Sequence, residues 1–141
     1  MKIYAMSQQK AEEWFAKPHT NKTLVISITD PEDPNANIEE SPSVKLLRLK
    51  FRDSLFDGRM TKADAREIRK FIKHNYTDNC TVIVHCHSGV SRSTGIAKAL
   101  AVVYNHSPGL YTCFSKNIFP NEWCYKCLLS EYHIKISNQN N

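Results

Sequence analysis

A chain of 141 residues fits one domain and can bury a substantial core without disulfide or metal staples. Its composition, 41% hydrophobic and 23% charged, is that of an ordinary soluble protein, and no apolar run approaches the roughly 20 residues that a membrane-spanning helix needs. The formal net charge of +5 favours phosphorylated or otherwise anionic partners.

In chain order, Lys2 to Met6 is predicted as a short first strand. Ser7 then offers an N-cap to a helical run in which Ala11, Trp14 and Phe15 share a face and which Pro18 stops. The polar Ser7-Gln8-Gln9-Lys10 arrives too early for the apolar core of a signal peptide, so the expected location is cytoplasmic. Thr23 to Thr29 is rich in β-branched residues and reads as a buried strand. Asp30 to Ser43, with Pro31, Pro34 and Pro42 among acidic and polar residues, is predicted to be an irregular loop bordering the functional face. Val44 to Phe51 resumes as a third strand with one face nearer solvent, and Arg52 to Met60 is the next loop.

Thr61-Lys62-Ala63-Asp64 has the form of a capping box, and Ala65, Ile68, Ile72 and Tyr76 follow at helical intervals with Phe71 beside them. Asp78-Asn79 ends that helix, and a strand from Cys80 to His85 delivers Cys86. Beyond Arg92, the stripe Ile96, Ala99, Leu100 and Val103 predicts a helix that Ser107-Pro108-Gly109 closes. A last helix starts at Pro120 or Asn121 and runs through Trp123, Leu128 and Tyr132. Residues 1–136 make the domain, and the polar tail 137–141 is expected to be disordered. Strands alternating with helices imply an α/β fold, with a mostly parallel central sheet of four to five strands flanked by helices on both faces. Its ligands would sit at the carboxyl ends of the strands.

The stretch His85-Cys86-His87-Ser88-Gly89-Val90-Ser91-Arg92-Ser93 joins the apolar strand to the helix that opens at Arg92. A loop in that position gathers backbone N–H groups at the positive end of a helix dipole, which suits a tetrahedral oxyanion. The same amides and Arg92 favour the thiolate of Cys86 over the thiol, making it a nucleophile at neutral pH. Five residues separate Cys86 from Arg92, so the loop can curl once and return the guanidinium fork to the same anion.

This pattern resembles the signature of the cysteine-dependent protein tyrosine phosphatase superfamily, and Gly89-Val90-Ser91-Arg92-Ser93 is most similar to its dual-specificity branch, the compact bacterial and phage-type members included. The likeness runs loosely from about Leu24 to Leu129, with a secondary echo at Pro120-Asn121 and Tyr125. It implies a phosphatase fold and a phosphocysteine route that needs no cofactor. In that route Cys86 attacks phosphorus while Arg92 and the amides of His87, Ser88, Gly89, Val90, Ser91 and Arg92 hold the oxygens. The resemblance also implies a general acid on a loop before the nucleophile. Asp53, just past the third strand, matches best and Asp57 is the alternative. Ser93 is implied to donate to the departing thiolate, and His85 to brace the loop.

The implied substrates are phosphotyrosine proteins or peptides, with phosphoserine and phosphothreonine as further candidates. A similar loop serves RNA 5′-phosphatases, and one stripped of its nucleophile serves a non-catalytic phosphate-binding module. The positive residues from Lys45 and Arg48 through Lys73 are scattered, which reads as a solvated basic face more than a nucleic-acid stripe. Cys80, Cys86, Cys113, Cys124 and Cys127 lack the even spacing of a secreted disulfide framework. Cys124 and Cys127 share a helix face, where a core role outweighs a redox role or a zinc site with His85, Cys86 and His87.

Overall fold

A computed structural model describes residues 1–134; the tail predicted at 137–141 lies outside the described residues. The chain runs β1 (Lys2–Ser7), α1 (Gln8–Phe15), β2 (Thr23–Thr29), β3 (Val44–Lys50), α2 (Lys62–Asn75), β4 (Thr81–Cys86), α3 (Arg92–Asn105), β5 (Thr112–Cys113) and α4 (Glu122–Glu131). The sheet order is β3-β2-β4-β1-β5, and every pairing is parallel. The expected α/β architecture is therefore present, with five strands. β5 has no counterpart in the sequence reading: two residues carry no periodicity, and only pairing with Tyr4 and Ala5 makes them a strand.

The central position of β4 explains its composition. Val82, Ile83, Val84 and His85 are fully buried, because neighbours cover both edges and helices both faces. The larger core lies between the sheet and α2, α3 and α4 and includes Leu24, Ile26, Ile68, Ile96, Leu100 and Leu128. The smaller, on the α1 side, gathers Met6, Ala11, Val25, Ile83 and, from the 30–43 loop, Ala36 and Ile38. α2 starts as its sequence implies: Thr61 accepts from the Asp64 N–H while Asp64 accepts from the Thr61 N–H, closing the capping box. Among the described residues, no helix is long and apolar enough to cross a membrane.

The 30–43 loop joins two adjacent parallel strands without a helix, and β3 holds it down. Arg48 donates to the carbonyls of Ala36 and Ile38, at 3.1 and 2.6 Å. Lys50 reaches Thr29 Oγ1 and the Asp33 carbonyl, and Arg52 forms a two-pronged pair with Glu32. Lys50 and Arg52 are exposed, as a solvated face requires, and Arg48 is half-buried. They satisfy loop carbonyls and a carboxylate that an irregular segment would otherwise leave to water.

Candidate active site

β4 ends at Cys86, whose neighbour in the sheet register is Ser7 of β1, and α3 begins six residues later at Arg92. The loop between them turns at Gly89, with φ of +75°. A Cβ there would stand 2.5 Å from the Ser7 backbone nitrogen and 2.6 Å from the Met6 carbonyl carbon. Glycine is thus required twice, for its left-handed backbone and for close packing of the loop on β1.

Ser91 is the N-cap residue of α3, yet its side chain makes no capping bond. Its hydroxyl donates instead to Asp53 Oδ1 at 2.7 Å. The first-turn amides of α3 are consequently left without a side-chain cap, which suits an anion at the helix start. Cys86 Sγ is buried and lies 3.2 Å from Ser93 Oγ, in the first turn of the helix. The thiol can donate to that oxygen; for a thiolate the hydroxyl must donate in return.

Arg92 is almost wholly buried, with 6% of its side chain exposed. Its Nη1 donates to Asp30 Oδ1 at 2.6 Å and to the Phe51 carbonyl at 2.7 Å, groups at the carboxyl ends of β2 and β3. Those two bonds use both hydrogens of Nη1. Among the described residues, Nε and Nη2 have no hydrogen-bond partner, so one edge of the fork is clamped and the other is free to take two oxygens.

Asp53 and Asp57 share one loop and have different surroundings. Besides Ser91, Asp53 Oδ1 accepts from Asn121 Nδ2 at 3.0 Å, and the same amide donates to the Ser54 carbonyl. Asp57 is exposed, and among the described residues its carboxylate has no hydrogen-bond or ion-pair partner. The loop is closed by the Arg52 N–H to the Gly58 carbonyl, and Arg59 stacks on Trp123 of α4. Of the two aspartates, the structure brings Asp53 to the Cys86–Arg92 loop.

His85 is buried beneath the loop. Nδ1 lies 3.3 Å from the Cys86 carbonyl and Nε2 lies 2.6 Å from Ser27 Oγ. Burial lowers its pKa to about 4, so the imidazole is neutral. Because a carbonyl only accepts, Nδ1 carries the hydrogen and Nε2 accepts from Ser27. His87 and Ser88 are exposed, Gly89 is buried, and Val90 and Ser91 are half-buried. Cys124 and Cys127 lie on the buried face of α4, where burial pushes both thiols up and keeps them protonated. Cys80 is buried as well, and Cys113 Sγ is 3.7 Å from the Gly89 carbonyl.

Asp30, Asn121 and Ser27 are parts of this arrangement that sequence reasoning missed. From sequence Asn121 is legible as a helix start, a task it also performs by accepting from the Cys124 N–H. One usable signal was present for Asp30. It directly follows a buried strand, and in a parallel sheet all carboxyl ends meet at one edge.

No protein-family model and no curated protein sequence matches the chain. Among solved structures it is similar to a human protein described as tyrosine phosphatase-like serine/threonine/tyrosine-interacting protein. The TM-score is 0.54 and the identity 18%, with 80% of this chain and 77% of that one covered. A likeness at this identity concerns backbone architecture, and the chain accordingly has a tyrosine phosphatase-like fold.

Proposed function

We propose that the protein is a phosphomonoester hydrolase of the dual-specificity type, acting on phosphotyrosine proteins and on phosphoserine or phosphothreonine proteins that reach the same loop. The observation that carries this reading is the convergence of the Cys86 thiol and the half-clamped Arg92 on the uncapped start of α3. The Cys86 thiolate attacks phosphorus, forming an S–P bond as the P–O bond to the substrate breaks. The Asp53 carboxyl gives its proton to the departing oxygen. Arg92 and the loop amides balance charge on the three remaining oxygens. Water then attacks the phosphocysteine, Asp53 takes the water proton, and Ser93 donates to the returning thiolate.

A phosphate-binding role without turnover is the second reading, favoured by the description of the similar human structure as an interacting protein. An aryl phosphate assay with chelator present separates the two. Hydrolysis by the wild type, its loss in Cys86→Ser, and a deficit in Asp53→Asn that deepens as the leaving group becomes more basic would support the phosphocysteine route. Full activity in Cys86→Ser would eliminate it. Triphosphate-ended RNA in the same assay tests the polynucleotide alternative.

A further inference from the structure

Beside the Cys86–Arg92 loop lies a cleft of about 520 Å³, walled by Gln8 and Glu12 of α1, Asp33 and Pro34 of the 30–43 loop, and His87 and Ser88. Its volume is in the range of ligand pockets, and it shares two residues with the proposed phosphate loop. The walls are pinned to one another. The Gln8 N–H donates to the His87 carbonyl at 3.2 Å. Glu12 Oε2 accepts from the Asn37 N–H at 2.7 Å and from Gln8 Nε2 at 3.1 Å. The Asp33 N–H donates to the Asp30 carbonyl, and the Asp33 carbonyl accepts from Lys50.

The charge of this cleft is opposite to that of the chain as a whole. Glu12 and Asp33 both face it, and among the described residues neither carboxylate forms an ion pair. The hydrogen bond from Asn37 also holds the Glu12 carboxyl below its ordinary range, so it is ionised at neutral pH. A substrate seated with its phosphate on the Cys86–Arg92 loop therefore has, across His87 and Ser88, a cleft that carries two carboxylates without ion-pair partners. A neighbouring cation is attracted there, while a second phosphate or an acidic side chain is repelled.

Resting on the phosphatase reading of the Cys86 loop, we propose that this cleft selects protein substrates with an arginine or lysine beside the phosphorylated residue, through Glu12 and Asp33. A polynucleotide end, which carries a phosphate at every step, is disfavoured by the same two groups.

The test uses Cys86→Ser protein and fluorescent phosphotyrosine peptides that differ only in a flanking Arg, Ala or Glu. A partly exposed ion pair is worth up to about fivefold in affinity, so two predict that the Arg peptide binds severalfold tighter than the Glu peptide, with a ceiling of about twenty-five-fold. Adding Glu12→Gln, which keeps an oxygen for Asn37, and Asp33→Asn should bring the peptides within about twofold of one another. Raising salt from about 50 to about 500 mM should shrink the original preference. Misfolding of the variant would weaken every peptide alike, whereas the predicted change is in the ratio. Equal affinities in the parent, a ratio that survives the double substitution, no binding of any peptide, or tighter binding of a 5′-phosphorylated oligoribonucleotide overturns the proposal. Turnover of the same peptides by the wild type is scored separately. Arg-selective binding without turnover retains the cleft and removes the hydrolase; turnover without selectivity does the reverse.

Discussion

Replacing Asp30 probes whether Arg92 is positioned or merely present. Its carboxylate accepts from Arg92 Nη1 at 2.6 Å, and the Phe51 carbonyl takes the other Nη1 hydrogen at 2.7 Å. Asp30→Asn keeps an oxygen in place and a hydrogen bond to the still-charged guanidinium, so only the attraction between the two opposite charges, up to about 1 kcal/mol for a partly exposed pair, is removed. The expected loss is at most about 1 kcal/mol, or roughly fivefold in kcat/KM for an aryl phosphate. Asp30→Ala removes the partner altogether. Breaking a fully buried pair costs about 3–5 kcal/mol, but Asp30 is 34% exposed and water takes part of its place, so about 1–3 kcal/mol is expected. That corresponds to a fall in kcat/KM of about 5-fold to 160-fold. The competing effect has the opposite sign, since removing a negative charge beside the anion site strengthens its bare attraction for phosphate. Measuring kcat/KM, the inhibition constant of inorganic phosphate and the thermal midpoint together separates the two. Unchanged or improved kcat/KM, with phosphate binding as tight or tighter in Asp30→Ala, would show that the Phe51 carbonyl alone orients Arg92.

Asn121→Ala removes the α4 cap and both bonds to the 52–60 loop, so about 1–2 kcal/mol of stability should be lost, together with activity that falls most for poor leaving groups; a shift in melting point with no leaving-group dependence would leave Asn121 a cap and nothing more. Gly89→Ala places a methyl 2.5 Å from the Ser7 nitrogen at a φ of +75°, and a destabilisation of about 2–5 kcal/mol should appear as a lower denaturant midpoint. A near-native midpoint would mean that β1 yields. His85 has its pKa lowered from 6.5 to about 4, so below pH 6.5 the unfolded chain binds a proton that the folded chain refuses. Folding stability therefore falls with falling pH, by about 2 kcal/mol between pH 6.5 and 5, and the loss is complete once pH drops below the folded value. Denaturant titrations at pH 7 and 5 should show a smaller drop in His85→Asn, and an equal drop would assign the effect to other groups.

Much of the scaffold is legible locally. The seven β-branched-rich residues of β2 coincide with the predicted strand, the capping box starts α2 where expected, and α3 opens at Arg92. These features depend on residues within a few positions of one another, so periodicity and cap chemistry suffice to find them. The Cys86–Arg92 spacing belongs to the same class, because one turn of loop followed by a helix start is a local object. The 52–60 loop offered two aspartates that sequence could rank only by resemblance. Asn121, 68 residues from Asp53, is what distinguishes them in space.

Local patterning is enough to specify the alternation of strands and helices and the placement of a cysteine and an arginine around one loop at a strand end. Tertiary structure alone decided the Asp30 clamp, the approach of Asp53 to Ser91, the pairing that creates β5, and the acidic cleft between α1 and the 30–43 loop. The physical reason is the parallel sheet. It collects the carboxyl ends of strands far apart in the chain at one edge, so groups such as Asp30 and Arg92, 62 residues apart, become partners through a register that no local pattern encodes.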